Sequence, residues 1–410
     1  MKTLAIETSC DDTSVGIVNF DWTTFVVDSL LAYSQIDDHQ KFWWVVPEIA
    51  SRLHFDKIIE VTKAIGFDAI KEVDFISVTT HPGLPGSLVV GKTVASLLSS
   101  YFAKPLVHVN HIYGHIFSLF LERNPSDIQF PLVVLTASWW HNDIYVVTRD
   151  EGTGIRAEGQ GEMDEVKIFG WYNIAKVWYT LDDAAGECFD KVARMLGGPY
   201  PGGQWISEQA LKSRKYQVTS KKITDESHIL HDEMADNDNE NNELLHEDVH
   251  DMWSGEDIKF KRIFLSKDNF EFSFSWMKSQ VSSLLKKLRD EGQGERDEEL
   301  VPSSMHQLSE ELICDIAYEF QEAVVEVMVK KLVRAGIAFG AKTLWLAGGV
   351  SCNDRLWEYL NKQLEMIDDK LEIKWQQQKN MICLRPMKKV YSMDNAAMIG
   401  LAGILEFTHI

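Results

Sequence analysis

The sequence predicts an α/β protein built from two similar lobes, and three observations carry that expectation. At 410 residues the chain exceeds what one hydrophobic core usually serves. Meandering strand patterns followed by alternating helices and strands occur twice along it. Glycine-rich turns recur where strands give way to helices, and sheets connected in that way bind ligands at strand ends and lobe junctions.

Apolar periodicity and Gly/Pro punctuation place the elements in order. Strands are expected over Lys2–Ile6, Ser14–Asn19 and Thr24–Ser29, with a polar loop after the first. A helix follows from Pro47 to about Ile65, then a buried strand Phe75–Thr79, a helix Ser87–Phe102, a strand Leu106–Val109 and a helix His111–Glu122. The second block opens with strands Pro131–Thr136 and Asp143–Thr148. Helices are expected over Gly186–Leu196, Phe274–Leu288 and Ser309–Ala335. Strand Thr343–Leu346, helix Asn353–Leu364, strand Glu372–Trp375 and helix Asn395–Glu406 close the chain.

The chain is 45% hydrophobic and 25% charged, as a soluble globular protein is. Its longest apolar runs reach about ten residues, too short to span a bilayer, and no secretory pattern opens it. The scattered cysteines Cys10, Cys188, Cys314, Cys352 and Cys383 fit reduced thiols in a cytoplasm better than a disulfide framework. A formal net charge of −21 repels phosphate backbones, so charge alone does not suggest a nucleic-acid substrate. Much of the acid lies between Asp225 and Asp257, a low-complexity stretch that cannot bury enough apolar surface to fold by itself. Lys212–Lys215 and Lys286–Arg289 are the local basic clusters that could meet phosphates.

His111 and His115, four apart on a helix, share one face, so both rings can reach one ion. Without an ion they would be two ordinary polar residues at a helix start. Two imidazoles leave a divalent ion short of ligands, and Asp394, where a late strand turns into the last helix, is a candidate carboxylate. The turns His81–Gly86, Tyr200–Gly203 and Ala347–Asn353 let backbone approach a phosphate or nucleoside. Gly86–Thr93 matches the P-loop pattern, but a phosphate loop would leave Leu88, Val89 and Val90 in an exposed turn. They read instead as continuing into Val94, Leu97 and Leu98 as an apolar helix face.

Eight segments, in one order, resemble the tRNA N6-adenosine threonylcarbamoyltransferase family, long labelled glycoprotease or O-sialoglycoprotein endopeptidase. They are Ile6–Thr13, Val46–Arg52, His111–His115, Asp182–Lys191, Tyr200–Gly203, Phe272–Ser275, Gly348–Asn353 and Asp394–Met398. The resemblance covers essentially the whole chain except the acidic insertion. It implies the actin-like fold shared with sugar kinases and heat-shock ATPases, two lobes with a central cleft. Residues 1–108, completed by the last helix at 395–410, would form one lobe. Residues 109–394, with the insertion at about 220–260, would form the other. The resemblance further implies one divalent ion, iron(II) ahead of zinc, at His111, His115 and Asp394. It implies substrate contacts from Thr136, Ala137, Ser138, Trp139 and Trp140, and from Asp190, Gly203 and Asn353. Asp11 and Asp12 would face the cleft as candidate catalytic groups.

The implied reaction passes a threonylcarbamoyl group from threonylcarbamoyl-adenylate, a mixed anhydride made by another enzyme, to N6 of the adenosine 3′-adjacent to the anticodon. The tRNAs would be those reading codons that begin with A, and AMP would leave. Implied partners are tRNA, a paralogous actin-like subunit and a small ATPase, with no membrane. A metalloprotease, as the older label suggests, would want an HExxH helix that the sequence lacks. A sugar or acetate kinase of the same fold would leave the histidine pair unexplained.

One departure from the family is systematic. Tryptophan stands where the family carries glycine at Trp43, Trp44, Trp139, Trp140, Trp178 and Trp276. One base change separates the glycine codon GGA from UGA, which some bacteria read as glycine and others as tryptophan. These positions are therefore expected to be glycine in the cell. If they are tryptophan, the alternative is a catalytically dead paralogue acting as a binding subunit, its cleft filled with indoles.

Overall fold

The computed structural model describes residues 1–139, 142–150, 166–213, 258–262, 272–292, 308–371 and 381–408. The acidic stretch Asp225–Asp257, Trp140, Arg214–Lys215 and the strand expected at Glu372–Trp375 lie outside the described residues. The strands are β1 (Lys2–Glu7), β2 (Asp12–Phe20), β3 (Phe25–Ser34), β4 (Phe75–His81), β5 (Leu106–Asn110), β6 (Leu132–Ala137), β7 (Asn142–Arg149), β8 (Lys167–Phe169), β9 (Tyr172–Trp178), β10 (Thr343–Ala347) and β11 (Ile382–Leu384). The longer helices are α1 (Pro47–Ile65), α2 (Pro85–Phe102), α3 (His111–Phe117), α4 (Ala185–Met195), α5 (Gly202–Lys212), α6 (Ser275–Gly292), α7 (Glu310–Ala338), α8 (Asp354–Leu371) and α9 (Ala396–Phe407).

The first sheet has the order β3-β2-β1-β4-β5. Its first three strands form an antiparallel meander, and β4 and β5 run parallel to β1. The second sheet has the order β11-β10-β6-β7-β9-β8. There β6, β7 and β9 form the antiparallel meander and β10 and β11 run parallel to β6. Read as β9-β7-β6-β10-β11, it repeats the order and strand senses of the first sheet, with β8 added at the edge. The pattern that occurs twice in the sequence is thus one topology built twice. The hairpin β8–β9 and helix α5 are additions that the sequence reading did not anticipate.

Strand β1 is buried along its length because both faces of the first sheet are covered. On α1 the buried residues Ala50, His54, Ile58 and Thr62 recur every fourth position and so form one stripe. Ile58 and Ala95 of α2 pack with Leu4, Ile6, Val15, Ile17, Ile76 and Val78 on one face. Each such Leu or Ile contributes about 1.5–3 kcal/mol by leaving water. Helix α9 covers the other face and is buried from Ala396 to Leu405, with Phe407 stacked on Phe75 of β4 at 4.3 Å.

The P-loop lookalike Gly86–Thr93 lies inside α2, where the Thr93 hydroxyl donates to the Val89 carbonyl at 2.7 Å. The apolar face expected of this helix is narrower than the sequence suggests. Leu88 is buried, but Val89 and Leu97 point outward, 55% and 64% exposed. Among the described residues no helix is long and apolar enough to cross a membrane.

The chain divides into two compact units. The first comprises Met1–Glu187, Phe264–Phe272 and Met328–Ile410 and holds both sheets; the second comprises Cys188–Ile263 and Ser273–Val327. Within the second unit Phe189 meets Phe320 edge-on at 5.2 Å, and Arg262 pairs with Glu319 and, at 3.0 Å, with Glu326. Ile258 and Phe260, just past the acidic stretch, are buried there, and the Phe260 N–H donates to Glu319 at 3.2 Å. A deletion of residues 220–257 is therefore expected to leave the melting temperature unchanged. Extending it through Phe260 is expected to cost at least about 3 kcal/mol, as loss of a buried aromatic does. Thermal melts of the two deletions check this.

Candidate metal and substrate site

Helix α3 begins where β5 ends. The Asn110 side chain accepts the Ile112 N–H at 2.8 Å and caps it, which sets His111 at the first position and His115 one turn on. The helix is shorter than expected, passing after Phe117 into a tight turn at Ser118–Phe120. Asp394 precedes α9, whose N-terminus is capped by Asn395 accepting the Met398 N–H at 3.0 Å. Two independently capped helix starts thus deliver one cluster, in which His115 and Asp394 are 279 residues apart in sequence. His115 Nε2 lies 3.0 Å and His111 Nε2 3.5 Å from the same Asp394 oxygen. The two imidazoles stand edge to face with centroids 4.7 Å apart. One donor atom from each of the three residues lies within 4.8 Å of the others.

Burial alone would raise the Asp394 pKa, but His111 and His115 hold it down, to about 2. Burial alone would lower that of His111, but Asp394 and Glu7 override it and push it up to about 9. Two imidazoles and a carboxylate match what zinc and non-haem iron(II) take. His115 presents Nε2 to Asp394 and so to the cluster, while its Nδ1, on the far side of the ring, is buried without a hydrogen-bond partner. The residues present therefore fit a divalent ion.

Behind His111 stands Glu7, the last residue of β1 and fully buried. Its Oε1 accepts the Ser9 N–H at 2.6 Å, and its Oε2 accepts the Thr79 hydroxyl and lies 3.3 Å from His111 Nδ1. Glu7 lies inside the first family segment, Ile6–Thr13, without an expected role of its own; its local signal is a carboxylate at the end of a strand that is otherwise buried. Asp11 and Asp12 follow in the loop and the first position of β2. Burial raises the pKa of both, with Asp394 adding to the effect at Asp11. At Asp12 burial and then the neighbouring Asp11 charge push it up to about 7. Asp12 Oδ1 is buried without a partner.

The residues expected in the substrate loop divide. Thr136 and Ala137 are not loop residues: both are buried at the end of β6, and the Thr136 hydroxyl donates to the Asp143 carbonyl at 3.2 Å. The reason is that this end of β6 is paired on both sides, by β7 and by β10. Ser138 and Trp139 emerge beyond it, half-buried, with the Gly186 N–H donating to the Ser138 carbonyl at 3.2 Å. Strand β10 ends beside β6, so Gly348 and the turn Gly349–Cys352 lie next to Ala137 and Ser138. Asn353 then opens α8, its side chain accepting the Arg355 N–H at 3.0 Å. Gly348 has φ +86°, and a Cβ there would stand 2.4 Å from the Ala137 carbonyl oxygen. Gly348→Ala is accordingly expected to cost about 1–3 kcal/mol through crowding and to separate the two strand ends; a melt with a hydrogen-exchange map tests it. Asp190 and Gly203 belong to the second unit. Asp190 Oδ1 accepts the Gly202 N–H at 2.6 Å at the start of α5, and Gly203 opens onto space that meets only Phe189.

Two sheets of one repeated topology put the chain in the actin-like α/β class, and the cluster on α3 and before α9 makes it a member equipped to hold a divalent ion. The crystal structure of HypF from T. kodakarensis shares this fold, with a TM-score of 0.50 and 13% identity over 99% of this chain and 48% of HypF. A model of the tRNA N6-adenosine threonylcarbamoyltransferase family, TsaD, matches residues 29–231 and 210–401. The chain is 33% identical over 399 residues to the tRNA N6-adenosine threonylcarbamoyltransferase of Syntrophomonas wolfei, covering 97% of this chain and 89% of that protein. To the protein of the same name from Thermosipho africanus it is 34% identical over 406 residues, covering 98% and 93%. The chain belongs to the tRNA N6-adenosine threonylcarbamoyltransferase family and is a transferase that modifies tRNA.

Proposed function

We propose that this chain transfers the threonylcarbamoyl group of threonylcarbamoyl-adenylate to N6 of the adenosine 3′-adjacent to the anticodon, in tRNAs reading codons that begin with A. The convergence of His111, His115 and Asp394 in a chain of this family carries the reading. The N6 amine attacks the carbamoyl carbon, the bond from that carbon to the phosphate oxygen breaks, AMP leaves and the amine loses one proton. His111, His115 and Asp394 would hold iron(II) or zinc, which supplies positive charge to offset charge on the donor's oxygens.

The chain's own residues do the rest. Ser138, with the backbone of Gly348–Asn353, beds the nucleoside at the adjoining ends of β6 and β10. Asp12, with one buried and unpartnered carboxylate oxygen, takes the amine proton. The net charge of −21 keeps tRNA affinity of the isolated chain low, so a paralogous actin-like subunit and a small ATPase supply the remaining tRNA contacts in the cytoplasm.

The test is a transfer assay. Purified native protein, with and without its partner subunits, is given threonylcarbamoyl-adenylate and a tRNA transcript, and the modified nucleoside is measured by mass spectrometry. Product confined to tRNAs reading A-initial codons supports the reading. Absence of product from native protein that still binds its partners favours a non-catalytic binding subunit.

A further inference from the structure

We propose that Glu7 is the positioning residue of the metal site, fixing the tautomer and the ring orientation of His111. This rests on the metal reading of His111, His115 and Asp394. His111 reaches Asp394 through Nε2 at 3.5 Å and faces Glu7 Oε2 through Nδ1 at 3.3 Å, so its two nitrogens serve opposite sides. Ser9 Oγ is 3.1 Å from the same Nδ1. A proton on Nδ1, donated to the carboxylate, leaves the Nε2 lone pair directed to the cluster, as carboxylate–histidine–metal arrangements require. Glu7 is itself held in place. The Ser9 N–H takes one oxygen at 2.6 Å and the Thr79 hydroxyl of β4 takes the other, so the carboxylate has little freedom to swing.

The measurement is Co2+ binding to the full chain, followed by visible absorption, for wild type and Glu7→Gln. Glutamine keeps the shape and an acceptor but removes the charge. A 10- to 100-fold loss of Co2+ affinity with an altered spectrum is expected, with an unchanged circular dichroism spectrum. Wild-type affinity and spectrum in Glu7→Gln would overturn the proposal. If that variant does not fold, Thr79→Val, which removes one tether of the same carboxylate, decides in the same way. Failure of wild type itself to bind Co2+ would overturn the metal reading instead.

A separate observation concerns the tryptophans, and from it we infer that positions 22 and 43 are glycine in the native protein while 345 and 357 are tryptophan. Four non-glycine residues among those described have positive φ, and two of them are Trp22 (φ 73°) and Trp43 (φ 64°). A bulky side chain is rarely found in that region, and glycine is its usual occupant. Trp22 sits in the turn between β2 and β3 with its indole 70% exposed, beside Asp21, whose Oδ1 accepts the Thr23 and Thr24 N–H groups at 2.8 and 2.7 Å. Asp followed by a left-handed residue is turn chemistry that glycine completes. Trp43 ends the short helix Gln40–Phe42 in the left-handed conformation, its N–H donating to the Gln40 carbonyl, which is the position glycine takes in a helix stop.

The contrast lies in β10 and α8. Trp345 and Trp357 are buried, 5.9 Å apart, with their indole N–H groups donating to the carbonyls of His115 and Ser351 at 3.4 and 2.6 Å. Glycine at either would leave a large void, whereas the side chain at 22 is 70% exposed and its loss opens no cavity. The codons decide between the two sets: UGA read as glycine at 22 and 43, and with them 44, 139, 140 and 276, against UGG at 345 and 357. Peptide mass spectrometry of protein purified from its own organism, with the gene sequenced alongside, is expected to return glycine at 22 and 43 and tryptophan at 345 and 357. Tryptophan in the native peptides at 22 and 43, or UGG at those codons, would overturn the inference.

Discussion

Replacing His111 and His115 together by alanine is expected to strip the divalent ion and reduce transfer to background while the protein stays folded. Both rings reach the one Asp394 oxygen, so a single alanine leaves one imidazole and the carboxylate, and the double variant leaves the carboxylate alone. The helix keeps its buried Ile112, Ile116 and Phe117, which hold it against the sheets. Stability should still fall by about 3–5 kcal/mol, because Asp394 and Glu7 lose the groups that hold their charges in a buried place. The sign of the pH effect follows. In the variant both carboxylates return toward or above their ordinary pKa values, so mild acid neutralises them and recovers part of the loss. Metal analysis and the transfer assay on the purified variant, with melts at neutral and mildly acidic pH, read these effects. Stoichiometric metal in the double variant would remove the assignment.

Asp12→Asn is expected to lower kcat by 10²- to 10⁴-fold, the range over which a positioned general base contributes, and to raise stability at the same time. The second effect is the sharper test. Burial and the Asp11 charge push the Asp12 pKa up to about 7 from the ordinary 3.8, so the unfolded chain ionises first as pH rises. Stability is therefore lost between those values, and above pH 7 the ionised carboxylate costs on the order of 4 kcal/mol. Asparagine carries no such cost, so the variant should melt higher than wild type at pH 8 and about equally at pH 4. Melting no higher than wild type at pH 8 would show that Asp12 carries no such cost, and unchanged kcat would show that it is not catalytic.

Much of the first sheet was legible because its elements carry local signals. Short apolar runs mark β1 and β2, which are buried over most of their length, and the fourfold stripe on α1 marks a helix whose bounds, Pro47–Ile65, coincide in sequence and structure. Proline at its start and Gly66 at its end punctuate it. The hairpin β8–β9 was not legible, since three residues of β8 give too short a period to read. Helix α5 was missed because Tyr200–Gly203 reads as a turn, and glycine at a helix start is indistinguishable in sequence from glycine in a loop. Val89 and Leu97 read as part of an apolar helix face, but apolar character alone does not say which of several helix faces meets the sheet.

The sequence by itself determined the duplicated strand-and-helix pattern, the family, and the placing of His111 and His115 on one side of a helix, because each is written within a few dozen residues. Asp394 was already the carboxylate expected for that pair; only the tertiary structure added Glu7 behind His111. Asp394 and Glu7 come from opposite ends of the chain, and packing of α9 against β1, not any local pattern, brings them to the same imidazole. The same holds for the strand ends. That Ala137 and Gly348 touch follows from β6 and β10 being parallel neighbours, a pairing across more than two hundred residues that hydrogen bonds and register fix and composition does not record.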